Sequence, residues 1–187
     1  MKTQIECEEK FFCTHSNELI SFILNNLNFK LKEMLEEEDI YLKDKNNKYI
    51  QKDACLRLRK TNNSYMELTR KSAINNNVCL KKEKNIPFPI KKEKRLLSLL
   101  SQINITPYCK VHKKRTIYTK TKENLTFNIA LDIINNHTQF IELEIISHGY
   151  HKSLELKLNE FISYFKDFNL KKANINYRDF CINQIKS

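Results

Sequence analysis

The sequence predicts an α+β fold that is mainly β, and three observations support this. The chain has 187 residues, a length typical of one domain with its own core. Many apolar residues alternate with polar ones, which is the pattern of half-buried strands. Fewer segments repeat apolar residues at helical spacing. We therefore expect residues 1–187 to form a single domain in which strands outnumber helices.

The predicted strands follow one another along most of the chain. Two of them flank the turn Thr61–Ser64, whose asparagines favour a hairpin. Val78–Lys82 has the weakest strand pattern, and the lysine-rich stretch Lys81–Arg95 has the composition of a loop with a solvated basic face. The predicted strands are Thr3–Cys13, Glu36–Lys43, Asp53–Lys60, Tyr65–Lys71, Val78–Lys82, Tyr108–Lys120, Leu125–Ile134 and Phe140–Ile146.

Helices are predicted between the strands and at the end of the chain. In the first of them, Leu19 and Ile23 share one face, and Ser16 can cap the N-terminus. Apolar residues at helical spacing also predict that the helix after the last strand packs on the outside of the sheet. The predicted helices are Ser16–Asn26, Lys92–Gln102, Ser153–Phe168 and a short one at Tyr177–Ile185.

Several functional classes are excluded by composition. No stretch approaches the roughly 20 apolar residues that span a bilayer, and Met1–Phe12 lacks the apolar run of a signal peptide. We therefore expect a cytoplasmic protein without a membrane partner. The six cysteines show no Cys-x-x-Cys spacing, which favours reduced thiols. Gly149 is the sole glycine, so the chain cannot contain a glycine-rich phosphate loop.

The net charge of +11 is distributed unevenly along the chain. Residues 51–122 hold 19 basic and 4 acidic side chains, whereas the segments before and after them are slightly acidic. Such a basic segment indicates an anionic partner: nucleic acid, lipid headgroups or a polyphosphate substrate. A basic face that only contacts water is the alternative.

Charged residues in the strands recur at i and i+2, and therefore share a face. An ordinary sheet with one face in water would hold this pattern, and so would a closed barrel with a charged lumen. The charged sets are Glu6 with Glu8 and Lys10, Arg57 with Arg59, Glu67 with Thr69 and Lys71, Lys113 with Arg115, and Glu142 with Glu144.

The signs of these charges favour the barrel. Carboxylates occur in pairs on the first and last strands, which closure would bring together, and cations occur in pairs between them. The four glutamates Glu6, Glu8, Glu142 and Glu144 would repel one another unless a divalent cation lay between them, and their hard oxygen ligands suit Mg²⁺ or Mn²⁺. The facing cations match the charge of a triphosphate and its metal. These cations are Lys10, Arg57, Arg59, Lys71, Lys113 and Arg115.

Five segments resemble, in order, the signature motifs of the CYTH domain family. This superfamily contains class IV adenylyl cyclases, thiamine triphosphatases and inorganic triphosphatases, and is also called the triphosphate tunnel metalloenzymes. A tail motif at Tyr177 and Asp179 resembles the family as well. The five segments are Glu6–Lys10, Tyr49–Arg59, Leu68–Lys71, Lys113–Tyr118, and Leu131–Asp132 followed by Phe140–Glu144.

The resemblance implies a tunnel of about eight antiparallel strands with a charged lumen and helices packed outside. It implies that Glu6, Glu8, Glu142, Glu144 and Asp132 bind one or two divalent metal ions. It also implies that the six cations of the lumen bind the phosphates, and that Lys10 acts with the four glutamates in catalysis. Family members usually carry a glycine before the last strand and another after the Leu-Thr-x-Lys lysine, and both are absent here.

Three functions are compatible with these residues. The first is hydrolysis of the terminal phosphate of an inorganic or organic triphosphate such as tripolyphosphate, thiamine triphosphate or a nucleoside triphosphate. The second is formation of cyclic AMP and diphosphate from ATP, which Asp39, Tyr41 and Asp53 favour because they resemble the class IV cyclases. The third is a non-catalytic module that binds RNA or polyphosphate, although nucleic acid is not the expected partner. The sequence leaves open whether the chain forms a homodimer.

Overall fold

The computed structural model describes residues 4–51, 54–74, 77–149, 153–173, 176–179 and 182. Nine strands form one antiparallel sheet in these residues. They are β1 (Gln4–Phe12), β2 (Lys30–Asp44), β3 (Cys55–Thr61), β4 (Tyr65–Ile74), β5 (Asn77–Phe88), β6 (Ile105–Lys122), β7 (Leu125–Ile134), β8 (Thr138–Ser147) and β9 (Lys171–Lys172).

The sheet closes into a barrel. Its strand order is β5-β4-β3-β2-β6-β7-β8-β1, and β1 pairs with β5 to complete the circle. The short β9 adds to β1 at Phe11 and Phe12. The predicted closed barrel of about eight antiparallel strands is therefore confirmed, and the open sheet is excluded. Closure also satisfies the backbone groups that an edge strand would leave unpaired.

Helices cover the outside of the barrel. Helix α1 (Asn17–Ser21) is capped by Ser16, whose hydroxyl accepts a hydrogen bond from the Leu19 backbone, and continues as a π-helical turn over Phe22–Asn26. The remaining helices are α2 (Lys48–Gln51), α3 (Glu93–Gln102) and α4 (Leu154–Ser163), with 3₁₀ turns at Ile90–Lys92 and Lys166–Phe168. Most of the predicted helix Tyr177–Ile185 lies outside the described residues.

Several predicted elements differ in extent from the structure, among them β2, which begins at Lys30 rather than at Glu36. Strand β5 runs to Phe88, so the first half of the lysine-rich stretch forms a strand rather than a loop. The reason is its position, because β5 pairs with β4 on one side and with β1 on the other. The helix predicted over Ser153–Phe168 is divided into α4 and a 3₁₀ turn.

Most of the apolar core lies between the outer faces of the strands and the helices, and a smaller buried cluster that includes Val111, Ile134 and Phe140 lies on inward faces beside Tyr177. Phe161 of α4 stacks on Phe29 at a centroid distance of 5.7 Å and meets the edge of Phe127. Leu100 of α3 packs in a second cluster with Leu58 and other residues of β2, β3 and β4. The rest of the inward faces carries mostly polar side chains.

Asparagines shape the tight turns of this glycine-poor chain. Asn62 and Asn63 in the β3–β4 turn, and Asn135 and Asn136 in the β7–β8 turn, all have φ between 49° and 64°. Two consecutive residues in this region form the turn that matches the twist of paired strands, and asparagine tolerates it better than other side chains do. The turn before β8 thus forms without glycine.

No helix in the described part of the chain is long and apolar enough to cross a bilayer. Among the described cysteines, Cys7, Cys13, Cys55, Cys79 and Cys109 are free thiols, and Cys181 lies outside the described residues.

Replacing Leu143 with alanine tests the outer core. Leu143 of β8 is fully buried, so we expect Leu143→Ala to lower the free energy of unfolding by about 3 kcal/mol through lost burial and a residual cavity. Urea denaturation measures this. Leu156→Ala is the matched control, because Leu156 is 73% exposed on α4, and it should cost less than about 0.5 kcal/mol. Equal losses in the two variants would contradict this placement of the core.

Candidate active site

Charged side chains from seven barrel strands, together with Asn128 of β7, project into one cavity of about 240 Å³. Alternation along each strand places them there, since the opposite faces pack under the helices. Every residue of the predicted site except Asp132 lines this cavity. The lining residues of that set are Glu6, Glu8, Lys10, Arg57, Arg59, Lys71, Lys113, Arg115, Glu142 and Glu144.

Three carboxylates converge where β1 meets β8. Glu8 and Glu144 are directly opposite each other in the strand register, and ligand oxygens of Glu6, Glu8 and Glu144 all lie within 4.8 Å of one another. Burial, followed by the charges of Glu6, Glu142 and Glu8, raises the pKa of Glu144 to about 8. Burial is also the main cause that raises the pKa of Glu6. The cluster therefore carries more negative charge than its surroundings compensate.

Lysines border this cluster on one side. Glu8 Oε1 lies 2.8 Å from the Nζ atoms of both Lys10 and Lys81, and Glu8 Oε2 lies 2.7 Å from Lys71 Nζ. Burial alone would raise the pKa of Glu8, but these three lysines hold it well below its usual value. Lys71 also lies 2.7 Å from Glu6 Oε2. Cations that can bind phosphate are thus adjacent to carboxylates that can bind a metal.

Glu142 and Asp132 lie against cations rather than in the carboxylate cluster. Glu142 Oε2 is 2.9 Å from Lys10 Nζ and 3.2 Å from Arg115 Nη2. Burial opposes the ionisation of Glu142, yet Arg115 and Lys10 lower its pKa. Asp132 accepts two hydrogen bonds of 2.6 Å from the Arg115 guanidinium and another from the Tyr177 hydroxyl. A metal-binding role for Glu142 and Asp132 stays a prediction.

Two carboxylates of β2 that the sequence analysis did not assign to the lumen hold the remaining cations. Asp39 accepts hydrogen bonds of 2.6 and 2.7 Å from Arg59 and a longer one of 3.4 Å from Arg57. Glu37 lies 2.7 Å from Lys113 Nζ and 3.0 Å from Arg59 Nη1. Burial would raise the pKa of Glu37, but Lys113 and Arg59 lower it to about 2. These pairs fix the direction of each guanidinium and ammonium group.

Further polar residues of the described lumen were not predicted from the sequence, among them Lys81, Glu83 and Asn128. Lys81 and Glu83 of β5 project inward, where Lys81 binds Glu8 and Glu83 lies 3.6 Å from Lys71. Asn128 of β7 donates a 2.9 Å hydrogen bond to Glu144 Oε2. A period of two was present in the sequence at Lys81 and Glu83, but the surrounding lysines concealed it. Asp53 of the predicted motif lies outside the described residues.

The donor set fits a hard divalent cation. Carboxylate oxygens are the ligands that Mg²⁺ and Mn²⁺ prefer, and Glu6, Glu8 and Glu144 bring three of them into one small volume. The pKa values of Glu6 and Glu144 are raised, so their ionised forms are disfavoured in the metal-free lumen. A divalent cation between them would stabilise the ionised forms.

The sequence profile of the CYTH domain matches residues 4–174. The chain belongs to the CYTH domain family. CYTH proteins are metal-dependent tunnel enzymes that act on small-molecule triphosphates, and the acidic cluster described above is present in this member. A comparison with curated protein sequences gives no match.

Solved structures show the same fold. PH1819 from Pyrococcus horikoshii OT3 is 22% identical, with a TM-score of 0.71 over 97% of this chain and 99% of that one. HpAC1 from Hippeastrum, a proposed adenylyl cyclase with a dominant triphosphatase activity, is 12% identical, with a TM-score of 0.66 over 98% and 96% of the two chains. At these identities the similarity establishes the architecture of this CYTH protein.

The raised pKa of Glu144 makes the stability of the metal-free protein depend on pH. Between the ordinary value of 4.5 and about 8, the folded state keeps a proton that the unfolded state has lost. This contribution to the free energy of unfolding therefore decreases as pH rises through that interval. We expect Glu144→Gln to remove a decrease on the order of 2 kcal/mol, measured by urea denaturation in EDTA. If the free energy of unfolding depends on pH in the same way in the wild type and in Glu144→Gln, the raised pKa of Glu144 is contradicted.

Proposed function

We propose that this CYTH protein is a divalent-metal-dependent triphosphatase that hydrolyses the terminal phosphate of an inorganic or organic triphosphate. The observation that carries the proposal is the adjacency of two sets of groups in one closed lumen. Lys10, Lys71 and Lys81 lie within 2.8 Å of Glu8, which itself belongs to the carboxylate cluster. A phosphate bound by these lysines would therefore lie next to a metal held by the glutamates.

The cations of the lumen would bind the phosphate chain. Arg57 and Arg59 of β3, Arg115 of β6 and the lysines all line the cavity that would hold it. Phosphoryl transfer depends mainly on positioning and on neutralising the charge of the phosphate oxygens. Arginine contributes by donating two parallel hydrogen bonds, for which the guanidinium groups are already oriented by Asp39 and Asp132.

Glu6, Glu8 and Glu144 would hold Mg²⁺ or Mn²⁺. A divalent ion there supplies charge neutralisation at the phosphate oxygens and lowers the pKa of a bound water. Burial and the neighbouring carboxylates raise the pKa of Glu144 to about 8 in the metal-free lumen, and a divalent ion bound there would lower it by stabilising the ionised carboxylate. Asn128 orients this carboxylate through its hydrogen bond to Oε2.

The character of the lining favours hydrolysis over cyclisation. Charged side chains make up most of the described lumen, and its aromatic side chains are Tyr41 and Tyr177. A cyclase must also hold the nucleoside of ATP so that the ribose 3′-hydroxyl reaches the α-phosphorus. Asp39, which resembles a cyclase residue, is engaged by Arg59 and Arg57. Adenylyl cyclisation is the alternative, followed by a module that binds polyphosphate or RNA without catalysis.

Product analysis separates these functions. The purified protein would be incubated with tripolyphosphate, thiamine triphosphate and ATP, each with Mg²⁺, Mn²⁺ or EDTA, and the products resolved by chromatography. We expect orthophosphate to appear only with a divalent metal. Cyclic AMP with diphosphate from ATP would establish a cyclase instead. Salt-sensitive binding without turnover would establish the binding module.

Substitution of the carboxylate cluster tests the metal assignment. We expect Glu6→Gln and Glu144→Gln to lower metal-dependent turnover by about 100-fold or more, because each removes a charged oxygen ligand. Steady-state kinetics over a range of Mg²⁺ concentrations measures this, with circular dichroism as the test of folding. Glu160→Gln is the control, since Glu160 is exposed on α4. Wild-type turnover in both cluster variants would exclude the metal site.

Substitution of Arg57 tests substrate binding. We expect Arg57→Ala to raise KM for tripolyphosphate by about ten-fold, because a charged hydrogen-bond donor to phosphate is lost. The barrel should stay folded, since Asp39 keeps its two hydrogen bonds from Arg59. Arg70→Ala is the matched control on the neighbouring strand, where the side chain is exposed. An unchanged KM in Arg57→Ala would remove Arg57 from the binding site.

A further inference from the structure

We propose that Tyr177 is a positioning residue that fixes three cations of the lumen, Lys10, Lys113 and Arg115, for binding the phosphate chain. The inference rests on the proposed function and adds a residue from the C-terminal segment to it. Tyr177 lies beyond β9 and outside the barrel strands, but its side chain is 6% exposed and lines the cavity. It contacts the cations in two different ways.

The hydroxyl acts on Arg115 through Asp132. Tyr177 Oη donates a 2.6 Å hydrogen bond to Asp132 Oδ2. Both oxygens of Asp132 in turn accept 2.6 Å hydrogen bonds from the Arg115 guanidinium. Burial, followed by the charge of Asp132, holds the pKa of Tyr177 well above its usual value, so the hydroxyl remains a donor. Asp132 is thereby held from two sides, which restricts the orientation of Arg115.

The ring acts on the two lysines directly. Lys10 Nζ and Lys113 Nζ lie 5.4 and 5.5 Å from the centroid of the Tyr177 ring. The face of an aromatic ring attracts cations at this distance. Burial, followed by the neighbouring charge of Arg115, lowers the pKa of Lys113, so an additional attractive contact supports its charged form. The ring thus holds two ammonium groups from different strands at one place.

The C-terminal segment holds this ring in a fixed orientation. Tyr177 packs edge-on against Phe140 of β8 at a centroid distance of 5.0 Å. Arg178 donates hydrogen bonds of 3.1 and 3.3 Å to the backbone oxygens of Tyr49 and Ala54. The Ala173 backbone N–H donates to the Lys10 backbone oxygen at 2.9 Å. Tyr177 is therefore anchored on two sides of the barrel end, as a positioning residue must be.

Two variants separate the two contacts. Tyr177→Phe keeps the ring and removes the hydroxyl, and Tyr177→Leu removes both. We expect KM for tripolyphosphate to rise by about ten-fold in Tyr177→Phe and further in Tyr177→Leu, with kcat changed less than KM. A merely structural role would give a different result, because a smaller folded fraction lowers apparent kcat and leaves KM unchanged. Tyr164→Phe is the matched control, since that hydroxyl contacts Glu160 on the outside of the protein.

A chemical readout tests the contacts without any substrate. Limited acetylation followed by peptide mass spectrometry would report the reactivity of each lysine. Loss of the ring in Tyr177→Leu should raise the reactivity of Lys10 and Lys113 and leave that of Lys81, which lies against Glu8, unchanged. Equal reactivity of Lys10 and Lys113 in the wild type and in Tyr177→Leu would overturn the inference.

The outcomes distinguish this inference from the proposed function. If the wild-type protein hydrolyses tripolyphosphate and both Tyr177→Phe and Tyr177→Leu have the wild-type KM, the inference is overturned and the proposed function is not. A fall in kcat without a change in KM would also overturn it, since that indicates loss of folded protein. A wild-type protein that neither binds nor hydrolyses tripolyphosphate would overturn the proposed function, and the inference with it.

Discussion

Charge compensation inside a closed barrel is the constraint on which the rest of this structure depends. The strands turn their apolar faces outward to the helices, so their charged faces must share one enclosed volume. Charges removed from water are costly unless they are paired and hydrogen-bonded. The described lumen meets this requirement with a continuous network in which Glu8, Glu37, Asp39 and Asp132 each bind at least one cation. The carboxylate cluster at Glu144 is where compensation is least complete.

Under the proposed function, this network would favour joint binding of an anion and a metal. A phosphate chain alone would displace carboxylates such as Glu8 from their lysines and leave those carboxylates buried without partners. A divalent ion bound by Glu6, Glu8 and Glu144 would compensate them at the same time. The joint requirement follows from the cost of breaking a buried ion pair, which is larger than the net gain of forming one. It would explain why the residues proposed to bind metal, Glu6 and Glu8, lie beside the proposed phosphate ligand Lys10 on one face of β1.

The sequence was sufficient to predict most of the lining from a period of two, and the barrel from the paired signs of the charges and the resemblance to the CYTH motifs. Glu6, Glu8 and Glu144 could be brought together before the structure, since their strands are the first and last of a barrel that closes. Glu37 and Asp39 could not, because the uninterrupted acidic run Glu36–Asp39 hides which members point inward.

Other features of the site depend on long-range contacts that no local pattern encodes. Tyr177 reaches Asp132 across 45 positions of sequence, and this contact arises from the docking of the C-terminal segment on the barrel. Long-range contacts also determine that Glu142 lies apart from the carboxylate cluster. Alternation puts Glu142 and Glu144 on one face, but only the neighbouring strands decide that Glu142 meets Lys10 and Arg115.

Closure of the barrel through β1 also has a consequence for the order of folding. The strand Gln4–Phe12 pairs with Thr138–Ser147 on one side and with Asn77–Phe88 on the other, so both of its neighbours are distant in sequence. Strand β1 is therefore synthesised before both of its partners, and its hydrogen bonds are complete only after β8 has been made. Contacts of such high sequence separation slow folding. The step that joins the two ends of the barrel is also the step that assembles the carboxylate cluster, because Glu144 reaches Glu6 and Glu8 only when β8 pairs with β1.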